Sequence, residues 1–407
     1  MKKIEGGVTA AKGFSAASAA AEIKYKNRTD MALIYSEVPC KCAGTFTTNV
    51  VKAAPVKWDQ KIVSAGIKSQ AVVVNSGIAN ACTGNQGMNC CEEIAKKTGE
   101  VLDVDKEGVL IGSTGVIGMQ LPIVKLKQGI EQLAFTKKDT LEAGHLAAQA
   151  IMTTDTMSKE VAVEIEIGGK VVTIGGMAKG SGMIHPNMCT MLSYITTDAA
   201  ITKKALQKAL STDVKDTYNM ISVDGDTSTN DTVLLLANGL AKNKKIHYGT
   251  QEYNIFFEAL HVVNETLAKA MAGDGEGATA LFEVKVIHAK TKEQARVLAK
   301  SVICSNLTKA AIAGHDANWG RILCAMGYSG ASFDPEQIDL TIQSEAGMLQ
   351  LIQNGVALDY SEEQATKILS KPEVTAIADI KEGVEYAVAW GCDLTYGYID
   401  INADYRS

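Results

Sequence analysis

Between Glu160 and Ile174 the chain alternates with a period of two. Val161, Val163, Ile165 and Ile167 are apolar, Ala162, Glu164 and Glu166 fall between them, and Gly168-Gly169 precedes a second run, Val171-Val172-Thr173-Ile174. Side chains in a strand point to opposite faces in turn, so this pattern demands a half-buried strand, and the glycine pair turns it back into an antiparallel hairpin. The returning strand runs into Lys179-Gly180-Ser181-Gly182-Met183-Ile184-His185-Pro186-Asn187-Met188-Cys189-Thr190-Met191-Leu192. Two glycines, a proline and an asparagine permit turns and unusual backbone angles there. A short apolar run, Met191-Leu192-Ser193-Tyr194-Ile195, then leaves the loop.

Around this hairpin, strands and helices interleave. Ala71-Val72-Val73-Val74 and Val109-Leu110-Ile111 are short continuous apolar runs, the signature of strands buried on both faces. Met31 to Tyr35 reads as a strand ended by Pro39, Thr232 to Leu236 as an apolar strand, and Leu281 to Ile287 as another. Helical spacing covers Met88 to Leu102, Leu141 to Met152, Ile201 to Leu210, Tyr253 to Met271 and Lys292 to Cys304, while Ala16 to Ile23 reads as helix or tightly packed loop. The expected fold class is α/β, an α+β layered sandwich. Its expected division is a core over 1–280, a smaller α+β domain over 281–395 and a tail over 396–407.

Composition bounds the function. At 46% hydrophobic and 21% charged residues the chain is globular, and a net charge of −6 without a long basic run offers nucleic acid no cationic stripe. No apolar h-region follows Met1-Lys2-Lys3, no window nears the roughly 18 apolar residues of a membrane span, and the nine cysteines are odd in number. These features predict a cytoplasmic, reduced protein with no membrane partner. Cys40 and Cys42 are expected to flank a turn near Gly44.

Several chemistries can be weighed from residue types. Gly112 to Gly118, Gly180 to Gly182 and Gly273 to Gly277 are glycine-rich, but none carries the Lys-Ser/Thr of a phosphate-binding P-loop. Asp224-x-Asp226-x-Ser228 begins like a calcium loop, then has Thr229 where glycine is needed and Leu235 where a glutamate is needed. Cysteine and histidine spacings match no zinc site, so no metal is expected. Ser181 and His185 are four apart, and side chains at that spacing face each other only on a helix, which Gly182 and Pro186 oppose. Thr190 stands where loop gives way to strand, and on pattern alone it is an ordinary strand-start threonine. A cut before it would change its chemistry. A freed α-amine, with a pKa near 7.7–8.0, is largely available as a base beside the same residue's hydroxyl.

The stretch from Lys179 to Leu192 resembles the self-cleavage motif of the ornithine acetyltransferase (ArgJ) family of arginine biosynthesis. Further blocks resemble that family in the same order: Asn75-Ser76-Gly77 with Ala79 to Gly84, Ser113 to Gly118, Thr153-Thr154-Asp155, Asp224 to Asn230, Gly273 to Thr279, Asn318-Trp319-Gly320-Arg321, and the tail Asn402 to Ser407. Together they span the chain. The resemblance implies an ArgJ/DmpA-like N-terminal-nucleophile fold and autocatalytic cleavage between Cys189 and Thr190, leaving an α chain of 1–189 and a β chain of 190–407. It implies acetyl transfer from N2-acetyl-L-ornithine to L-glutamate with Thr190 as nucleophile and ping-pong kinetics. Thr114 and Gly115 would form the oxyanion hole, and Thr153, Lys179, Thr190, Glu276, Asn402 and Ser407 would bind substrate. It further implies an α2β2 assembly and no cofactor, and leaves acetyl-CoA open as a second donor. The sequence departs from the family pattern at Ile78, where an asparagine is expected, and at Cys189, where alanine is common. Two other readings stay open: an amidase or aminopeptidase of the same nucleophile class, with water as acceptor, and a non-catalytic binding protein that never cuts itself.

Overall fold

A computed structural model describes residues 1–185 and 191–404. Nine strands form one hydrogen-bonded array: β1 (Lys2–Ile4), β2 (Phe14–Ala19), β3 (Met31–Phe46), β4 (Ser69–Asn75), β5 (Val109–Ser113), β6 (Lys159–Ile167), β7 (Lys170–Lys179), β8 (Leu192–Thr197) and β9 (Thr232–Ala237). Their order is β1-β6-β7-β8-β9-β3-β4-β5, with β2 pairing to β3. The hairpin read from the alternation is β6–β7, paired in register from Lys159 with Ala178 to Ile167 with Lys170.

Strand β3 belongs to two halves of this array. Met31 to Tyr35 pair with both β2 and β4, whereas Lys41 to Phe46 pair with β9. The register shifts between Tyr35 and Cys40, where Pro39 removes a donor from the ladder. So Pro39 marks a change of partner and does not end the strand, contrary to the sequence expectation. Cys40 and Cys42 accordingly lie inside β3 and are buried; no turn separates them at Gly44.

The two halves face each other. Alternate residues of β3, β4 and β9 sort cleanly between cores, as a two-residue period requires. Ala32, Ile34, Val72, Val74, Leu234 and Leu236 pack together between the halves, with Leu192 and Tyr194. Their neighbours face outward on either side. Met31, Leu33, Ala71 and Val73 meet the helices Gly84–Leu102 and Ile123–Thr136. Val233 and Leu235 meet Lys203–Asp213 and Gln251–Gly273. The result is four layers, helix, sheet, sheet, helix, in agreement with the layered α/β expectation. Threonines start several of these helices. Thr202 accepts the Ala205 N–H and Thr250 the Tyr253 N–H, each satisfying an otherwise unpaired donor.

Phe14–Ala19 is a strand, correcting the helix-or-loop reading of Ala16 to Ile23. Its small side chains fit between β3 and the helix Leu141–Ala150, whose Ala147, Ala148 and Ala150 share the inter-sheet core. Beyond residue 280 a second sheet comprises β10 (Leu281–Ala289), β11 (Asp339–Ser344), β12 (Gly347–Gln353), β13 (Val356–Ala357), β14 (Glu373–Asp379) and β15 (Glu385–Cys392), in the order β13-β12-β11-β14-β10-β15. Phe282, Val284 and Val286 join the apolar cluster under Gln251–Gly273, so the two sheets share one core. Among the described residues no helix is long and apolar enough to cross a membrane.

Leu234 is fully buried between the facing sheets, whereas Val171 is 59% exposed. Leu234→Ala is expected to lower unfolding free energy by about 2–5 kcal/mol through lost transfer energy and a cavity. Val171→Ala should change it by less than about 0.5 kcal/mol. Chemical denaturation of both variants checks the pair.

Candidate functional site

Strand β7 carries Lys179 to the end of the sandwich, where several chain segments meet a buried ionic knot. The Lys159 ammonium, fully buried, lies 2.7 Å from Asp155 Oδ1 and 2.6 Å from Asp274 Oδ2. Asp155 Oδ1 also accepts the Gly180 N–H at 2.6 Å, and Asp274 accepts the Thr156 backbone and hydroxyl hydrogens. Lys179 Nζ donates to Thr153 Oγ1 at 2.7 Å and to Thr114 Oγ1 at 3.4 Å, and lies 3.9 Å from Asp155. Burial alone would raise the Asp155 pKa, but the ammonium groups of Lys179 and Lys159 prevail and hold it at about 2. Burial pushes the Lys179 pKa down, with Asp155 opposing.

Thr114 and Gly115 follow β5. The Thr114 N–H donates to the Asn75 carbonyl at 3.0 Å, so its hydroxyl is the group left to face a ligand. Gly115, at φ +126°, passes so close to Gly77 that an added Cβ would stand 2.3 Å from the Gly77 carbonyl carbon. Only glycine fits that approach. Among the described residues the Gly115 N–H donates to no acceptor. Asn230, just before β9, ties both halves together here: its Nδ2 donates to Ala79 O at 2.6 Å and Ser113 O at 2.8 Å. Ile78 is buried in the outer core and presents its carbonyl to Asn75 Nδ2, so an apolar side chain is accommodated without losing that bond.

The third wall comes from the turn after the helix Gln251–Gly273. The Glu276 N–H donates to Ser181 O at 2.9 Å, and Ser181 Oγ donates to Asp274 O at 2.6 Å. A Cβ at Gly182 would fall 2.3 Å from the Glu276 carboxyl carbon, so the glycine makes room for that carboxylate. The C-terminal helix Tyr396–Asp404 returns to the same place, where Asn402 Nδ2 donates to Glu276 Oε2 at 2.7 Å. Asp224 fixes the remaining edge by accepting the N–H groups of Met183 and Ile184.

These segments enclose a cavity of about 150 Å³ lined by Thr114, Gly115, Thr153, Lys179, Glu276 and Asn402, with Ala79, Gly182, Met191, Asn230 and Asp231 among its other walls. Six of the sequence-selected residues therefore converge. Cys189, Thr190 and Ser407 lie outside the described residues. The Ser181–His185 pair is not assembled: Ser181 is bound to Asp274 O, while His185 Nδ1 meets Ser222 Oγ at 3.1 Å and Cys304 Sγ at 3.5 Å. Sequence reasoning assigned no part to Lys159, Asp274, Asn230 or Asp231. Asp274 and Asn230 lie within motif blocks, but Lys159 sits at the start of a strand with no local signal. Polar donors, a lysine and a carboxylate around a small cavity suit a zwitterionic amino-acid derivative with a polarised carbonyl.

The ArgJ family model matches residues 15–407. The chain is 50% identical over 407 residues to the arginine biosynthesis bifunctional protein ArgJ of Caldanaerobacter subterraneus subsp. tengcongensis, covering all of both chains. It is 52% identical over 400 residues to that of Thermotoga neapolitana, covering 97% of this chain and 99% of the relative. Among solved structures, arginine biosynthesis bifunctional protein ArgJ from Bacillus halodurans is 45% identical with a TM-score of 0.50; the match covers 99% of that chain but 53% of this one.

The low Asp155 pKa has a pH signature. A carboxyl depressed to about 2 from its ordinary 3.8 stabilises the fold above pH 4, and that contribution is lost as pH falls through 2. It amounts to about 2 kcal/mol. Asp155→Asn, which also takes the carboxylate from beside Lys179 and leaves Lys159 with Asp274 alone, is expected to start less stable and to show a flatter fall in unfolding free energy from pH 5 to pH 2. Urea titrations across that range measure both.

Proposed function

The chain belongs to the ArgJ family, and from that premise we propose that it moves an acetyl group from N2-acetyl-L-ornithine to L-glutamate through an acetyl ester on Thr190. The observation that carries this reading is the convergence of Thr114, Gly115, Thr153, Lys179, Glu276 and Asn402 on one cavity whose wall continues through Met191, covalently next to Thr190. The Bacillus halodurans chain supports the accompanying cut: nearly its whole length matches only 53% of this chain. A break near the middle leaves a piece of that size.

In the proposed sequence the Thr190 hydroxyl attacks the Cys189 carbonyl, and hydrolysis of the resulting ester frees the Thr190 α-amine. That amine then takes the hydroxyl proton as Thr190 attacks the acetyl carbonyl. The Thr114 hydroxyl and the Gly115 N–H meet the developing oxyanion, each worth about 3–4 kcal/mol when aligned. The C–N bond breaks, the proton passes to the leaving nitrogen, and ornithine departs. The glutamate amine attacks the acetyl-Thr190 ester, which gives N-acetylglutamate and restores the hydroxyl. Lys179 faces the substrate α-carboxylate, while Glu276, steadied by Asn402, pairs with the ornithine ammonium. Acetyl-CoA is a second donor to the same ester in this reading, and the cut pieces assemble as α2β2.

Three experiments test the reading. Denaturing electrophoresis should show two fragments from the wild-type protein and one intact band from Thr190→Ala; an intact wild-type band contradicts the mechanism. Incubation with N-acetylornithine and glutamate should yield acetylglutamate, whereas free acetate in its place would mark an amidase. Lys179→Ala should raise KM for both substrates by about tenfold or more, the loss of a charged hydrogen bond. Unchanged KM values would remove Lys179 from substrate binding.

A further inference from the structure

Asn230, just before β9, is 6% exposed and lines the cavity together with Ala79, Gly115 and Met191. Both hydrogens of its side-chain amide are used: Nδ2 donates to Ala79 O at 2.6 Å and to Ser113 O at 2.8 Å. The Thr229 hydroxyl donates to its Oδ1 at 2.6 Å. Carbonyl oxygens only accept, so the end of the side chain that faces Ala79 and Ser113 must carry hydrogens. Those two carbonyls belong to the paired loops of the donor wall. The Val116 N–H donates to Gly77 O at 3.1 Å and the Ala79 N–H to Val116 O at 2.9 Å, with Gly115 packed on Gly77. Two residues past Asn230, the Thr232 N–H donates to Met191 O at 2.9 Å, where β9 begins its parallel pairing with β8. The backbone between is held from its other side, since Thr229 O accepts the Ala53 N–H and Asp231 O the Thr47 N–H, both at 3.0 Å. A two-residue step spans at most about 7 Å between Cα atoms. One short tie therefore joins the wall that carries Thr114 and Gly115 to the start of β8.

We infer that Asn230 is a positioning residue for the acyl transfer: it sets the Thr114 and Gly115 donors at a fixed distance from the start of β8. This rests on the proposed reading, in which the residue before Met191 carries the acetyl group. Asn230 exchanges no proton and forms no covalent bond; its amide hydrogens are spent on the two loops. Its influence falls on the transition state. An oxyanion exists only during reaction, and hydrogen bonds to it weaken steeply when donors shift in distance or angle. Ground-state contacts depend on other ties. Lys179 is held by Thr153 and lies beside Asp155, while Glu276 is held by Ser181 and Asn402.

The test uses the full chain with Asn230→Ala and the milder Asn230→Ser, each checked for folding by circular dichroism and with rates normalised to the cut fraction on denaturing gels. Asn230→Ala is expected to lose at least about tenfold in kcat and to keep KM for N-acetylornithine within about twofold, the pattern of an interaction felt only in the transition state. Asn230→Ser, which retains one donor, should fall between it and the wild type. In a Thr114→Ala background Asn230→Ala should cost only about threefold, because one of the two donors it positions is already gone. An amide that merely stabilised the fold would cost the same factor in both backgrounds and raise KM as kcat falls. Either of those results, or full kcat in Asn230→Ala, overturns the inference and leaves the cut standing. An intact wild-type band instead removes the reading beneath it.

Discussion

Lys159 holds the site end of the molecule together. Its ammonium lies wholly out of water between Asp155 and Asp274, residues that belong to segments 119 positions apart. Desolvating three charges is expensive, and attraction repays it only when the remaining hydrogen-bonding positions are filled. Here they are: Asp155 takes the Gly180 N–H and the Thr153 N–H, and Asp274 takes both donors of Thr156. The knot thereby sets the start of the loop after β7 and the turn that carries Glu276, so two walls of the cavity share one cation. Breaking it by removing a single partner would leave a buried charge uncompensated.

The folded-over sheet does the corresponding work for the other wall. Parallel strands β4 and β5 end side by side, and the residues just beyond them supply Gly77, Thr114 and Gly115. Asn230 then crosses from β9 to bond the carbonyls of Ala79 and Ser113. With the Thr114 amide committed to Asn75, the Gly115 N–H is left without an acceptor among the described residues, and both residues line the cavity. Donors fixed before a ligand arrives need no reorganisation during reaction, which is the condition for strong stabilisation of an oxyanion.

Much of this was legible because it is local. The β6–β7 hairpin, the buried runs in β4 and β5, and the long helix before the Gly273 turn follow from periodicity and turn residues. The motif blocks, taken with the family resemblance, named six residues that share the cavity. What escaped was set by long-range pairing. Alanine and serine in β2 have weak strand preference and adopt it because β3 offers an edge. Pro39 reads as a terminator, but β3 changes partners there and continues. Strands β12 and β13 are largely exposed, which blurs their alternation. Lys159 has no spacing rule; its position matters only once distant carboxylates are brought to it.

In the proposed mechanism Thr190 becomes a chain end and carries the acetyl group. Mass spectrometry of the purified protein after brief incubation with N-acetylornithine alone, without glutamate, tests it most directly. The predicted spectrum has a fragment of residues 1–189 at its unmodified mass and a fragment beginning at Thr190 that is one acetyl group heavier, with the acetyl on Thr190 and removed by added glutamate. An intact chain, or two fragments of which neither gains an acetyl group, would contradict it.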